Sequence, residues 1–370
     1  MRGVQLRTDG NISARPPGPL RVLVVDDDPV YRNIVSRTLS RLAQVEVVAG
    51  VGTIAQAQAR LAQGGIDLVS LDVVLRDESG LDLLRWIRQH HPGVPTVLVT
   101  GGSGTGVTTS VDALLIGAAA LVLKPSGASA AQELSTALER VVDAVRSSLV
   151  TSTVAPPRER IEVPPPRTAH FAMRRELVAV GASTGGPPVL VEFLKRLPPA
   201  FSVPVVITQH MPSLHVPYFA ELLAKQSGRR VVLARHSDPV EPSTVYLACG
   251  GLHLTVARRA NLLVLQQDQG PEEHNCRPAV DPLFRSVAAA CGSASVAVLM
   301  TGMGTDGAAG AVVLRAKGAP VVVQDQASSV VWGMPGAAVA AGGADAVAPG
   351  PELANWVVKW TSGHKQHGKG

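Results

Sequence analysis

Short apolar runs alternate with helical patterns from residue 21 onward. RVLVVDD (21–27), VEVVAG (45–50), DLVSLD (67–72), TVLVTG (96–101) and ALVLKP (120–125) have the length and β-branched content of strands. Between them, Tyr31–Leu42, Ile54–Gln63, Leu81–His90 and Ser110–Gly117 are each long enough to be, or contribute to, a crossover helix. Ala131–Leu149 places Leu134, Leu138, Val141, Val142 and Val145 near helical spacing, which predicts a closing helix. Strands apolar along their length and separated by helices predict a parallel sheet covered on both faces. Further on, LVAVGASTGG (177–186), VPVVITQH (203–210), VAVLMTG (296–302) and APVVVQD (319–325) again run from apolar strand into a polar or small-residue turn. Between the two halves, residues 147–170 carry Pro156, Pro157, Pro164, Pro165 and Pro166, which remove backbone donors and favour extended chain. The expected organisation is a tail (1–19), a domain (20–146), a Pro-rich linker (147–172), a second domain (173–360) and a basic tail (361–370).

Composition narrows the class. The chain has 370 residues, 46% hydrophobic and 17% charged, which is too apolar for a disordered protein. The longest uncharged run, Ala327 to Ala344, is broken by Gly, Ser and Pro335, so no membrane span or direct membrane insertion is expected. The N-terminus carries Arg2, Arg7, Asp9 and Arg15 without an apolar segment, unlike a secretory signal. Cys249, Cys276 and Cys291 form an odd set without C-x-x-C spacing, which argues against a disulfide framework or a zinc site and for a cytoplasmic protein. The formal charge of +5 resides in the two tails: three Arg and one Asp within residues 1–20, and Lys359, Lys365 and Lys369. Residues 21–358 are neutral, so nucleic-acid binding is not expected.

Several first-half strands end in hydrophilic residues: Asp26 and Asp27, Asp72, Thr100, and Lys124 before Pro125. Each alone is an ordinary loop start. In a doubly wound sheet those ends converge at one edge, where ligands bind. Three carboxylates in one cleft repel each other unless a cation sits among them, and oxygen-only ligands suit Mg²⁺. The constellation resembles the receiver domain of two-component response regulators, a flavodoxin-like fold. The resemblance implies Asp72 as acceptor of a phosphoryl group from a chemotaxis histidine kinase. It implies Asp26, Asp27 and Asp72, with the Val74 carbonyl, as the Mg²⁺ site, and Thr100 and Lys124 as phosphoryl contacts. Two positions depart from that family: Leu121 replaces its usual aromatic switch residue, and Arg76 its usual proline. Gly101–Gly106 reads as a mobile loop.

In the second half, Gly181-Ala182-Ser183-Thr184-Gly185 fits G-x-S-x-G, in which small neighbours let a serine project from a tight strand-to-helix turn. A Gly-rich phosphate loop or a plain βα turn would look similar, although no Gly-Lys-Ser/Thr follows to make a P-loop. A serine nucleophile needs a base, and among ten histidines His210 alone ends an apolar strand. His215, His236, His253 and His274 fall in loops or loop-like segments, and His170 in the linker. Gly302-Met303-Gly304-Thr305-Asp306-Gly307 also fits the dinucleotide fingerprint G-x-G-x-x-G, with Asp325 about twenty residues on. Asp306, however, would set a carboxylate where a pyrophosphate should sit, and is better suited to orient a histidine. These residues alone leave cofactor loop and catalytic carboxylate both open.

Residues about 175–358 resemble the catalytic domain of the chemotaxis protein-glutamate methylesterase family, CheB. The segments that carry this are VGASTGGP, VVITQHMP, HNCRPAVDPLF, VLMTGMGTDGA and QDQASSVVWGMP. The resemblance implies a doubly wound, mainly parallel α/β/α domain with Ser183 as nucleophile, His210 as base and Asp306 as orienting carboxylate. The backbone N–H groups of Thr184 and Met303 would form the oxyanion hole. Cys276 lies in one of these segments without an evident base partner, and is read as structural. The implied reaction is hydrolysis of glutamate methyl esters on chemoreceptors to glutamate and methanol, with deamidation of certain receptor glutamines. No cofactor is expected for hydrolysis. Two rival readings are a nucleotide-dependent enzyme using Gly302–Gly307 and a DNA-binding response regulator, for which the strand-rich, neutral second half lacks a recognition helix.

Overall fold

The computed structural model describes residues 18–76, 78–101, 105–125, 127, 130–153 and 175–362. Most of the expected N-terminal tail, much of the Pro-rich linker with His170, part of the Gly101–Gly106 loop and residues 363–370 lie outside these. The first domain runs β1 (Leu20–Val25), α1 (Pro29–Arg41), β2 (Val45–Val51), α2 (Ile54–Ala62), β3 (Leu68–Leu71), α3 (Gly80–His90), β4 (Thr96–Thr100), α4 (Thr105–Ile116), β5 (Ala120–Leu123) and α5 (Ala130–Thr153). Its sheet has the order β2-β1-β3-β4-β5, parallel throughout. Successive side chains alternate between faces, so Val22 and Val24 join one core while Leu23 and Val25 join the other. Complete burial of such a side chain contributes about 1.5–3 kcal/mol. Helix starts follow local chemistry: Asp28 caps α1 by accepting from the Val30 N–H at 2.7 Å, with Pro29 in its first turn. Helix α5 runs to Thr153, so the first residues of the expected linker (147–153) are helical.

The second domain contains β6 (Leu177–Ala182), α6 (Gly186–Arg196), β7 (Val205–Gln209), α7 (Val216–Ser227), β8 (Arg230–Leu233), β9 (Thr244–Leu247), β10 (His253–Arg259), β11 (Leu262–Asp268) and α8 (Val280–Ala290). It continues with β12 (Ser295–Leu299), α9 (Ala308–Ala316), β13 (Val321–Gln324), α10 (Gly333–Ala340), β14 (Ala346–Ala348) and α11 (Leu353–Thr361). Seven strands form a parallel sheet in the order β14-β13-β12-β6-β7-β9-β8, while β10 and β11 make a separate antiparallel hairpin. One face packs Phe193, Phe219 and Trp360, the other Phe284 and Leu283. The chain winds from β6 toward β8 in one direction, and β12 to β14 extend the opposite side. Carboxyl ends of β6, β7 and β12 therefore meet where the winding reverses, the usual crevice of an open α/β sheet.

The domains are docked. Helix α4 lies against α6, α7 and the 3₁₀ turn Ser213–His215. Val111 of α4 is buried in the second domain's core, and Met211 after β7 packs into cores of both domains. A main-chain hydrogen bond joins them: the Gly185 N–H donates to the Ala119 carbonyl at 3.0 Å.

Candidate active site

Ser183 leaves the end of β6 and α6 starts three residues later. The turn is possible because Gly185 adopts φ +76°, and because a Cβ on Gly186 would lie 2.2 Å from Gln209 Oε1. Gly302 is equally constrained, since a Cβ there would sit 2.8 Å from the Ser183 Cβ. The turn is braced by the Ser183 N–H donating to the Thr301 carbonyl at 3.0 Å and the Gly186 N–H donating to the Ser183 carbonyl at 2.8 Å.

His210 follows β7 directly, and its Nε2 lies 2.8 Å from Asp306 Oδ2. Asp306 is 1% exposed and also accepts from the backbone N–H groups of Val280 (2.6 Å) and Asp281 (2.9 Å) at the start of α8. Its carboxylate thus faces a helix N-terminus other than the one its own loop precedes, which favours the anion. Burial pushes the Asp306 carboxyl up, but His210 and the two N–H donors outweigh it and hold the pKa below the ordinary value. Burial works to lower the His210 pKa; the hydrogen bonds and charges of Asp306 and Cys276 prevail and raise it to about 9.

Ser183, His210, Asp306, Thr184 and Met303 line one cleft of about 730 Å³. Among the described residues, the N–H groups of Thr184 and Met303 have no intramolecular acceptor, and no hydrogen bond joins Ser183 Oγ to His210. Leu121 and Arg140 of the first domain line the same cleft.

Three neighbours escaped the sequence reading. Gln209 Nε2 donates to the carbonyls of both Ser183 and His210, each at 2.9 Å, tying the two turns together. A polar residue closing an otherwise apolar strand was the available signal. His274 pairs with the buried Asp281, Nε2 to Oδ2 at 2.9 Å, and stands 3.9 Å from Asp306 Oδ1. A carboxylate in the first turn of apolar α8 could have flagged that pair. Cys276, read as lacking a base partner, has one: its Sγ is 3.7 Å from His210 Nδ1.

At the carboxyl edge of the first sheet, ligand atoms of Asp26, Asp27 and Asp72 lie within 4.8 Å of one another. Lys124 Nζ contacts Asp26 Oδ2 at 2.7 Å and Asp72 Oδ2 at 2.5 Å, and sits 4.5 Å from the Tyr31 ring centroid. Burial raises the Asp26 carboxyl and the neighbouring Asp72 charge adds to that, against the pull of Lys124. Burial disfavours the Lys124 ammonium, yet its two carboxylate partners raise its pKa. The Arg76 side chain lies 3.8 Å from Asp27, so this departure adds a cation at the rim. Thr100 Oγ1 is buried without a partner among the described residues. Excess carboxylate, oxygen-only donors and an unengaged hydroxyl fit a hard cation with an anion beside it.

Two family models match the chain: the response regulator receiver domain over residues 22–139 and CheB methylesterase over residues 178–357. A protein-glutamate methylesterase/protein-glutamine glutaminase of Nocardioides sp. is 39% identical over 350 residues, spanning 91% of this chain and 95% of that protein. The protein of the same name from Trichodesmium erythraeum is 35% identical over 353 residues, spanning 92% and 98%. Among solved structures, the Thermotoga maritima CheB methylesterase catalytic domain matches at 33% identity and a TM-score of 0.49, covering 50% of this chain and 99% of that one.

Proposed function

The chain belongs to the receiver-linked CheB methylesterase family, and from that premise we propose that it is a phosphorylation-regulated protein-glutamate methylesterase and glutaminase acting on methylated chemoreceptors in the cytoplasm. The observation that carries the chemistry is the buried His210–Asp306 pair, 2.8 Å apart, in the cleft that Ser183 lines. Among the described residues no helix is long and apolar enough to cross a membrane.

In this mechanism Ser183 Oγ attacks the ester carbonyl while His210 takes its proton, and Asp306 stays ionised to stabilise the imidazolium. The free N–H groups of Thr184 and Met303 receive the developing oxyanion. Collapse of the tetrahedral intermediate expels methanol, protonated by His210, and leaves Ser183 acylated. His210 then deprotonates a water that attacks the acyl-enzyme, releasing glutamate and restoring the serine. A glutamine side chain follows the same path with ammonia as leaving group. Hydrolysis needs neutral His210, so activity rises with pH toward the raised pKa of about 9.

The first domain supplies control. Asp26, Asp27 and Asp72 would hold Mg²⁺, which when bound neutralises charge on the transferred phosphoryl group. Asp72 is the acceptor, Lys124 offers its ammonium to the phosphoryl oxygens, and the buried Thr100 hydroxyl stands ready to contact them. The phosphodonor is a histidine kinase of the chemotaxis pathway. Docking of α4 and the Ala119 carbonyl on the Gly185 turn supports an obstructed resting state, since a receptor helix must reach Ser183 through the space the receiver borders. Loss of about 1.4 kcal/mol of docking free energy raises a minor open population roughly tenfold. The test is methanol release from methyl-labelled receptor membranes by full-length, phosphorylated and residue 1–153-deleted protein. Faster release by the latter two is expected. Equal rates in all three refute the inhibitory receiver, and no release by any refutes the esterase.

A further inference from the structure

Cys276 touches the His210 ring, and the reaction above gives it no task. Asp306 is a carboxylate and can only accept, so the His210 Nε2 that faces it must carry a proton. The lone pair that could take a proton from Ser183 is therefore on Nδ1. Among the described residues, the Nδ1 partner is Cys276 Sγ at 3.7 Å. With neutral imidazole, the thiol S–H donates to Nδ1; with imidazolium, the Nδ1–H points at the sulfur. Either arrangement engages the nitrogen that Ser183 needs.

The sulfur does not drift into this position. His274 and Asn275 precede it with φ +54° and +56°, and Glu273 and Cys276 exchange main-chain hydrogen bonds of 2.9 and 3.3 Å. Two left-handed residues in a closed turn set the direction of the Cys276 side chain, and His274 is held in turn by Asp281. The half-buried thiol lines the cleft beside Ser183.

We propose that Cys276 is a positioning residue that competes with Ser183 for His210 Nδ1 and keeps the base disengaged until substrate enters the cleft. The inference rests on the serine-hydrolase reading above and deepens it. The electrostatics act in the same direction. Burial lowers the His210 pKa, whereas Asp306 first and Cys276 second raise it, to about 9. Other titratable groups near the pair are His274 and Asp281 behind Asp306, Arg285 with its partner Glu273, Glu272 at the rim, and Arg140 and Asp143 across the cleft. All remain when the sulfur is removed, so the change reports Cys276 alone.

The experiment uses full-length protein and follows covalent labelling of Ser183 by a fluorophosphonate, which needs an aligned serine and base but no receptor, from about pH 6 to about pH 10. Cys276→Ala should label roughly tenfold faster at neutral pH, because Nδ1 is then free for the Ser183 proton and the base loses the part of its raised pKa that the sulfur supplies. The midpoint of its profile should move down, and the variant should stay faster above about pH 9, because the thiol also engages Nδ1 of the neutral imidazole. Cys276→Val, of similar size and without a donor, should behave like the alanine variant and guards against a folding defect there. Unchanged or slower labelling at neutral pH by both folded variants overturns the inference and leaves the serine-hydrolase reading intact. If instead Ser183→Ala still released methanol while Cys276→Ala did not, the serine reading itself would fall and the thiol would be the nucleophile.

Discussion

Replacing Asp306 by Asn tests the site most sharply, because shape is kept while one acceptor becomes a donor. The carboxylate accepts from Val280 N–H and His210 on Oδ2 and from Asp281 N–H on Oδ1. An amide has one acceptor atom. If its NH₂ replaces Oδ2, it confronts both the Val280 N–H and any proton on His210 Nε2; if it replaces Oδ1, it confronts the Asp281 N–H. The site is 1% exposed, so the displaced donor has no water to turn to, and one buried unsatisfied donor costs about 1–3 kcal/mol. In the first orientation the amide also forces the Nε2 lone pair toward itself and the proton onto Nδ1, the wrong tautomer for a base serving Ser183. Activity should therefore fall by about 10⁴-fold, far more than the stability loss accounts for. The lift that Asp306 gives His210 is also lost, so the residual activity should titrate below the wild-type midpoint of about 9. Methanol release across pH, with urea unfolding on the same samples, measures both effects. A folded Asp306→Asn protein within tenfold of wild-type activity would refute the assignment of Asp306 as the orienting carboxylate.

Other perturbations separate the remaining parts. Ser183→Ala should lower methanol release by roughly 10⁴–10⁶-fold at unchanged thermal stability, because the members of the proposed triad act as a unit. Gln209→Glu removes two donors from between the Ser183 and His210 carbonyls, and should lower kcat by about 10–100-fold with little change in KM; an unchanged kcat would show the two turns hold themselves. Asp72→Asn should abolish the hydroxylamine-labile acyl phosphate formed with Mg²⁺ and a small phosphodonor, and label on Ser or Thr would contradict the receiver assignment. Val111→Asp places a charge in the buried domain contact and should raise basal methanol release toward that of the truncated protein, whereas unchanged basal activity would argue against an inhibitory docked state.

How far the sequence reached depended on how local each feature is. Strands β1, β3, β4, β6 and β7 were legible because short, largely apolar, β-branched runs bounded by polar or small residues read as buried strands. Asp26, Asp72, Ser183 and His210 were legible as candidates because a hydrophilic residue closing such a run must emerge at the sheet edge. Local pattern had no power over pairing. His210 and Asp306 are 96 residues apart and meet because β6 stands between β7 and β12, an order set by how the helices cover both faces of the whole sheet. The same order separates the dinucleotide-like spacing of Gly302–Gly307 from its apparent role, by turning Asp306 toward α8 instead of α9. Hairpin β10–β11 also depended on tertiary packing, since its alternation is diluted by charged and polar residues and its buried face is completed by α8. Cys276 changed most between sequence and structure. Its letter in HNCRPAVDPLF describes a small apolar residue as well as it describes a thiol against a base, and two left-handed residues before it decide which it is.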